Sequence, residues 1–380
     1  MASHSSARLG FIDQLRGWAV IVMIEVHTFN DWLDPALKGS QLWKFITFIN
    51  GLVAPSFVFL AGFSLSLAAM RKWEQYSRPN SSLLPRFRHL LLILSVGYLL
   101  HFPSRTWKDL LDGIDPVKLQ TFFAVDVLQL IVVSLVVLHV LLFFMRSRAM
   151  FRNVAFGFGA AVFLVTPLMY HLGAVEAVPM WLAAYLNKGW GSLFPLFPWS
   201  GLVFFGAAFG MVFAEAQARD EGARMLRQLA WIGAGLFATG WLIDQIPPVK
   251  ASTHWYWTSS PEFNIIRLGT VLLLLAMMAW FERRFRIAPA FVRLVGQESF
   301  LVYALHLFVL YGMFVGPSLS QRFAASLSYG EAFVGYLALL LPMLGAAWAW
   351  RALKQRSITA ARVVMGTGAA FILILFFFVL

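Results

Sequence analysis

The sequence predicts an all-α integral membrane protein: a polytopic bundle of about eleven transmembrane helices, with the N-terminus cytoplasmic and the C-terminus outside. Three observations carry that prediction. The first is composition: 60% of the 380 residues are hydrophobic and 13% are charged, whereas about a quarter of a soluble domain is charged. With 37 Phe and 15 Trp, a water-facing fold would expose a large apolar surface, so lipid is the solvent for much of the chain. The second is the recurrence of apolar segments of about 20 residues, the length that crosses a bilayer. The third is the alternation of basic residues between those segments. Arg8, the 71–88 cluster, Arg146 to Arg152, Arg219 to Arg227, Arg283 to Arg293 and Arg351 to Arg362 hold 20 of the 30 Lys and Arg and fall in every second connection. That is the positive-inside pattern. The net charge of +12 is explained the same way, and nucleic acid is not an expected partner.

The segments run near 10–30, 44–70, 88–103, 121–145, 153–171, 194–214, 228–247, 263–281, 294–315, 330–350 and 364–380. The first follows Arg8 closely and carries internal charges without a small-residue cleavage site, so it reads as a span rather than a cleavable signal. The second begins near Asn50. The fourth enters from outside with Asp126 about five residues in. The fifth contains "GFGAAVF" from 157, which lacks the preceding strand of a dinucleotide loop and reads as close helix packing. The sixth carries "GAAFG" at 206–210, a small-xxx-small pair with the same reading. The eighth enters from outside with Arg267 about four residues in, and the ninth holds His306. The outer segments near 172–193 and 248–262 are rich in Trp and Tyr, either an interfacial belt or a rim for sugar rings. Residues 1–380 form one domain, with its characteristic core at about 10–315 and additional helices at 330–380. There is no P-loop, no GxSxG and no HExxH. The absence of cysteine excludes a thiolate nucleophile, disulfides and Cys-ligated metal, and no metal is expected.

Ionisable groups inside spans are costly and mark candidate sites. On the first helix, with 100° per residue and Arg16 at the origin, Asp13 falls at about 60°, His27 at about 20° and Glu25 at about 180°. Asp13, Arg16 and His27 therefore share one face, and Glu25 points the other way, towards another helix. Asp13 and Arg16, three residues apart, are either a structural ion pair or part of a site. His27, Asp126 and Arg267 fall at similar outer depth, with His306 slightly deeper. Asp126 and Arg267 either pair with each other, or the carboxylate orients an imidazole as general base. Arg71, Lys72, Arg86 and Arg88 stand close to span ends, where they can hold an anionic ligand arriving from the cytosol.

Five blocks in order carry a resemblance. "IDQLRGWAVIVMIEVH" (12–27) resembles the first-helix signature of membrane-embedded acyltransferases, an Asp-x-x-Arg-Gly core followed by a His. "APSFVFLAGFSLSLA" (54–68), "VDVLQLI" (125–131) and "PLFPWSGLVFFGAAFG" (195–210) are similar to blocks of the branch related to heparan-alpha-glucosaminide N-acetyltransferase. "GQESFLVYALH" (296–306) resembles the Gly-x-x-Ser-x-x-x-Tyr-x-x-His helix of the wider superfamily. The resemblance implies an acetyltransferase that takes acetyl from cytosolic acetyl-CoA and delivers it to a sugar across the membrane, in the inner membrane of a bacterium. His27 is then the catalytic histidine, with Asp126, Arg267 and His306 as further catalytic candidates. Asp13 and Arg16 shape the site, and Arg71, Lys72, Arg86 and Arg88 hold the CoA phosphates. Asn50 and the Pro198-Trp199 step face the acceptor, and Arg267, Asn50 or a backbone N–H serves the oxyanion. The partners are acetyl-CoA, a periplasmic sugar or glycan and the bilayer, with self-association left open. One departure stands out. Eukaryotic members of the heparan branch have Asn near the His27 position and a catalytic His soon after the first helix, whereas 28–44 here contains none. Either His27 takes the role, or the chemistry has moved. A transporter with a proton path and an O-acyltransferase are the alternatives.

Overall fold

In lipid, a chain satisfies its backbone hydrogen bonds within its own helices or in a closed barrel; this chain takes the helical solution. The structure, a computed structural model, describes residues 9–104, 106–171, 177–246, 256–285, 289–312 and 318–379. In chain order the main helices are α1 (Gly10–Trp32), α2 (Gln41–Asn50), α3 (Val53–Arg71), α4 (Leu83–Leu100), α5 (Pro116–Phe123), α6 (Val127–Phe144), α7 (Arg148–His171), α8 (Leu196–Ala218), α9 (Gly222–Asp244), α10 (Pro261–Phe285), α11 (Ala290–Gln297), α12 (Ser299–Tyr311), α13 (Tyr329–Arg356) and α14 (Ile358–Ile374). Among the described residues the one bridge pairing is an isolated parallel contact between Leu33 and Leu327.

Among the described residues, eight helical segments are long and apolar enough to cross a membrane, α2 and α3 counting together as 41–71, and the bent pair α11–α12 makes a ninth. The eleven segments read from the sequence also include α1 and α9. Each is 23 residues long but more polar. The apolar side chains face outwards as a membrane requires: Trp231 is 80% exposed, Leu164 73% and Phe144 71%, in a chain with no water-soluble surface to spare. The protein is a multi-pass membrane protein.

Three segments differ from their sequence-derived outlines. The fourth span starts at Val127, and Asp126 is its N-cap, its Oδ1 accepting from the Val127 N–H at 2.7 Å. The carboxylate therefore lies ahead of the helix rather than several residues inside it, and 116–123 forms the separate helix α5. The second is broken near Gly51 into α2 and α3. The ninth is two helices bent by 83° at Glu298. Arg8, Arg105, Lys250 and Arg286 lie outside the described residues, as do parts of both aromatic outer segments.

Two compact units arise from these helices. One comprises Met1–Val53, Phe102–Asp115 and Met278–Leu380. In it α1 lies against α11, α12 and α13. Gly17 and Gly296 make the close approach possible: a Cβ on Gly296 would collide with the Asp13 carbonyl, and one on Gly17 with that of Val292. Backbone bonds from Leu327 N to Trp32 O (2.8 Å) and from Asp34 N to Leu327 O (2.9 Å) fasten the end of α1 to the segment before α13.

The other unit comprises Ala54–His101 and Pro116–Met277. Its centre is α8 against α7 and α3. The "GAAFG" reading holds in detail: Gly206 lies on the Phe59 carbonyl and Gly210 on Phe63, and Ser66 Oγ donates to Ala207 O at 2.6 Å. Gly159, in the glycine-rich stretch of the fifth span, seats the Phe205 ring. With lipid as apolar as leucine, such close backbone packing and inter-helix hydrogen bonding hold helices together better than apolar burial does.

Candidate functional site

The polar face of α1 forms two clusters in the first unit. At one end the Asp13 carboxylate, 4% exposed, is 3.9 Å from Arg16 and accepts from Gln297 Nε2 at 3.2 Å. The Gln297 carbonyl oxygen in turn accepts from Arg351. Next to it Glu298, at the α11–α12 bend, accepts from Lys354 Nζ at 2.6 and 2.7 Å. Asp13 thus ties α1 to α11 and, through Gln297, to α13. Gly17 and Gly296 sit beside it because nothing larger fits between the two backbones.

Further along the same face, half-buried His27 meets fully buried His306 on α12, with Nδ1 and Nε2 3.0 Å apart. The partners assign the protons. His306 Nδ1 lies 3.0 Å from the Val302 carbonyl, which can only accept, so Nδ1 carries hydrogen and Nε2 is an acceptor. His27 Nδ1 must then donate, and its basic lone pair is on Nε2. When His27 takes a proton, its bond to His306 becomes charge-assisted and stronger. The second imidazole thus fixes the orientation and tautomer of the first. Tyr303 packs edge-on to His306 and Tyr311 edge-on to His27.

Glu25 faces away, as its helical angle requires. With the Asn50 amide turned to satisfy both groups, its nitrogen donates to Glu25 Oε2 at 2.8 Å and to Ile46 O at 3.2 Å. Asn50, expected at the acceptor, is thereby engaged in holding a half-buried carboxylate between α1 and α2.

The second unit places the remaining candidates. Asp126 Oδ2 lies 3.4 Å from Nε2 of His101, at the end of α4. These two line a cavity of about 370 Å³ together with Gln120, Thr121, Trp190 and neighbouring apolar groups. Its far wall is fastened by three bonds: Ser192 Oγ accepts from Val125 N (2.9 Å) and donates to Ala184 O (2.6 Å), and Phe194 N donates to Val125 O (3.0 Å). Gly191 turns that wall with φ +85°, a conformation that favours glycine. Arg267 donates to Asn264 Oδ1 at 2.9 Å and lies over the rings of Phe263 (4.2 Å) and Trp199 (4.9 Å), the latter following cis Pro198. Lys188, in the loop before α8, has its pKa lowered by burial first and by the Arg267 charge second.

Arg71, Lys72 and Arg88 are exposed at the ends of α3 and α4. Arg86 is not: it donates to Ser82 and Gln75 and stacks on Tyr76 at 4.1 Å. Its NH1 is buried without a hydrogen bond among the described residues. His101, Gln120, Trp190, Gln297 and Arg351 had not been singled out from the sequence. Gln297 falls in the quoted block "GQESFLVYALH" and Trp190 in the aromatic 172–193 segment; the other three carried no signal of their own.

The chain is a multi-pass helical membrane protein in which an imidazole of the first helix is hydrogen-bonded to one on α12. Residues 8–246 match the model of the family described as heparan-alpha-glucosaminide N-acetyltransferase, catalytic. The chain belongs to this family of membrane acetyltransferases. No match is found among curated proteins. The matched stretch contains His27, Asp13, Arg16, His101 and Asp126; His306, Gln297 and Arg351 lie beyond it.

Proposed function

We propose that the protein transfers acetyl from acetyl-CoA to the amino group of a glucosamine-type sugar or glycan, with His27 as general base. The observation that carries this reading is the His27–His306 bond in a chain of this family. It supports a neutral His27 with its lone pair on Nε2, the form a base needs. The sugar amine, once neutral, attacks the thioester carbonyl. His27 Nε2 takes the proton that the nitrogen loses, the C–S bond breaks, and the proton passes to the departing thiolate. The products are the N-acetyl sugar and CoA. His306 is a positioning residue: it fixes the His27 tautomer and stabilises the imidazolium. Exposed Arg71, Lys72 and Arg88, with Arg86 behind them, form the basic surface for the CoA phosphates.

The topology that fits this reading has eleven spans, a cytoplasmic N-terminus and an external C-terminus, in the inner membrane of a bacterium. Acetyl-CoA then comes from the cytosol, and the acceptor lies on the periplasmic side. Purified protein incubated with labelled acetyl-CoA and a panel of amino sugars should form N-acetyl product, and His27→Ala should form it about 10²–10⁴-fold more slowly while keeping its thermal stability. Full activity in that variant, or no product with any amino sugar, would overturn the reading.

A further inference from the structure

We propose that the last turn of α10 is a docking site for an anionic phospholipid, in which Arg283 and Arg284 hold the headgroup phosphate and Trp280 lies against the lipid beside it. With Trp280 at the origin of the helical wheel, Arg284 falls at about 40° and Arg283 at about −60°, so the three share one face. Glu282, the one carboxylate of that turn, falls at about 200°, on the opposite side. It is turned against α1, where a Cβ on Gly10 would collide with its Oε1, and a negative charge suits the start of a helix. The acid therefore does not neutralise the two guanidinium groups. Both arginines are exposed, and neither has an acidic partner among the described residues. Arg284 lies instead over the Phe285 ring, at 5.7 Å.

The apolar part of the site is a cluster rather than scattered rings. Trp280 packs on Phe281 with centroids 5.0 Å apart and on Phe285 at 5.8 Å, and the two Phe rings stack at 5.5 Å. All three are nevertheless exposed. An uncovered aromatic platform edged by two cations fits a partner that is apolar on one side and anionic on the other. Depth selects lipid as that partner. The 25 residues of α10 extend about 37 Å at 1.5 Å per residue, against a hydrocarbon core about 30 Å thick. The ends of the helix therefore reach the headgroup level, where Trp anchors a span and basic residues attract anionic lipids. A soluble phosphate would meet the arginines and gain nothing from the rings. Basic residues at the end of a span also serve to orient it. That role requires neither the shared face nor the ring cluster, and it predicts no preference among lipids.

The site is independent of acetyl transfer, and so is its test. The full-length protein in non-ionic detergent is titrated with phosphatidylglycerol, or with phosphatidylethanolamine of the same acyl chains, and bound lipid is counted by native mass spectrometry. Wild type should bind phosphatidylglycerol saturably and at least tenfold more tightly. A basic residue beside an anionic headgroup is worth about a fivefold factor in affinity. Arg284→Gln should therefore weaken phosphatidylglycerol binding about fivefold, and the double variant Arg283→Gln/Arg284→Gln about 30-fold. Trp280→Ala should weaken it several-fold. These side chains are exposed, so melting temperatures should stay at the wild-type value, and the single variant carries the test where the double one is unfolded. Arg146→Gln/Arg148→Gln removes two exposed arginines at the start of α7 and should bind as wild type does. Equal affinity for the two lipids, wild-type affinity in the folded arginine variants, or an equal loss in the Arg146 and Arg148 variant would overturn the proposal. Glycerol 3-phosphate carries the phosphate without acyl chains and should not displace the lipid; displacement at the lipid's own concentration would assign the arginines to a soluble phosphate and overturn it as well.

Discussion

His306→Ala tests the imidazole pair most directly. The substitution removes the acceptor 3.0 Å from His27 Nδ1 and leaves His27 free to adopt the wrong tautomer or rotate. The bond matters most when His27 is protonated, and a hydrogen bond to a charged group contributes about 1.5–3 kcal/mol. At 1.36 kcal/mol per factor of ten, that is a loss of about 10- to 150-fold in kcat. Removing the base itself, in His27→Ala, should cost about 10²–10⁴-fold. His306 is fully buried, so the alanine variant also leaves a void, and its melting temperature should fall. His306→Gln separates the two effects: its amide oxygen can accept from His27 Nδ1, so much of kcat should return although the packing still differs. The assay is the initial rate of CoA thiol release over a range of acetyl-CoA concentrations and pH values, with thermal denaturation alongside. A merely structural His306 would lower the melting temperature and leave kcat and its pH profile intact per folded molecule. Wild-type kcat in His306→Ala, or Gln no better than Ala in two folded variants, would refute the pairing argument.

Gly296→Val should destabilise the first unit by about 1–3 kcal/mol or prevent its assembly, because its Cβ would meet the Asp13 backbone and stand 3.0 Å from Gly17 N; a wild-type melting temperature and a monodisperse elution profile would refute this. Arg88→Ala should raise the KM for acetyl-CoA several-fold with the melting temperature unchanged, since Arg88 is exposed. Arg86→Ala should lower the melting temperature as well, since Arg86 holds Ser82, Gln75 and Tyr76; an unchanged KM in both would remove them from the donor site. Lys188 has a depressed pKa in the folded chain from burial and then from Arg267. Between that value and the ordinary one the unfolded state binds more protons, so stability rises with pH across that alkaline window. Lys188→Met should flatten this rise in melting temperature between neutral pH and about pH 10, near the ordinary lysine value, and an identical slope in the variant would count against it.

Helical geometry made the first helix legible. A period of 3.6 residues fixes which side chains share a face, so Asp13 and His27 could be placed together and Glu25 opposite before any partner was known. The structure sets Asp13 on Gln297 and His27 on His306, neighbours on one bent helix pair, and finds Glu25 on α2. The glycine pairs were legible in kind for the same reason: small residues in lipid mean close approach. The breaks were not. The bend at Glu298 and the start of α6 at Val127 coincide with short polar interruptions, Gln297-Glu298-Ser299 and Asp126, which a window of about 20 residues averages into the surrounding apolar text. Asp126 illustrates the cost: read as lying within a span, it suggested an intramembrane carboxylate, whereas it caps the helix and orients His101. His101 itself was invisible, since a lone histidine at the end of an apolar run acquires meaning only from a partner 25 residues away.

The pairings share a physical logic that extends past the stretch matched by the family. A polar group inside a membrane bundle must find a partner there. The sequence therefore shows which groups need one, and the fold decides which residue it is. Along α1 the partners are distant: Gln297 is 284 residues from Asp13, and His306 is 279 from His27. Both lie beyond residue 246, where the match ends. The first helix of the matched stretch thus has its polar face completed by the C-terminal part of the chain. Gly296 fixes the approach to the α1 backbone next to Asp13, and α12 then brings His306 to His27. A change in α11 or α12 can therefore act on the proposed base without touching the matched stretch. Residues 290–311 therefore belong to the proposed site as much as the first-helix signature does.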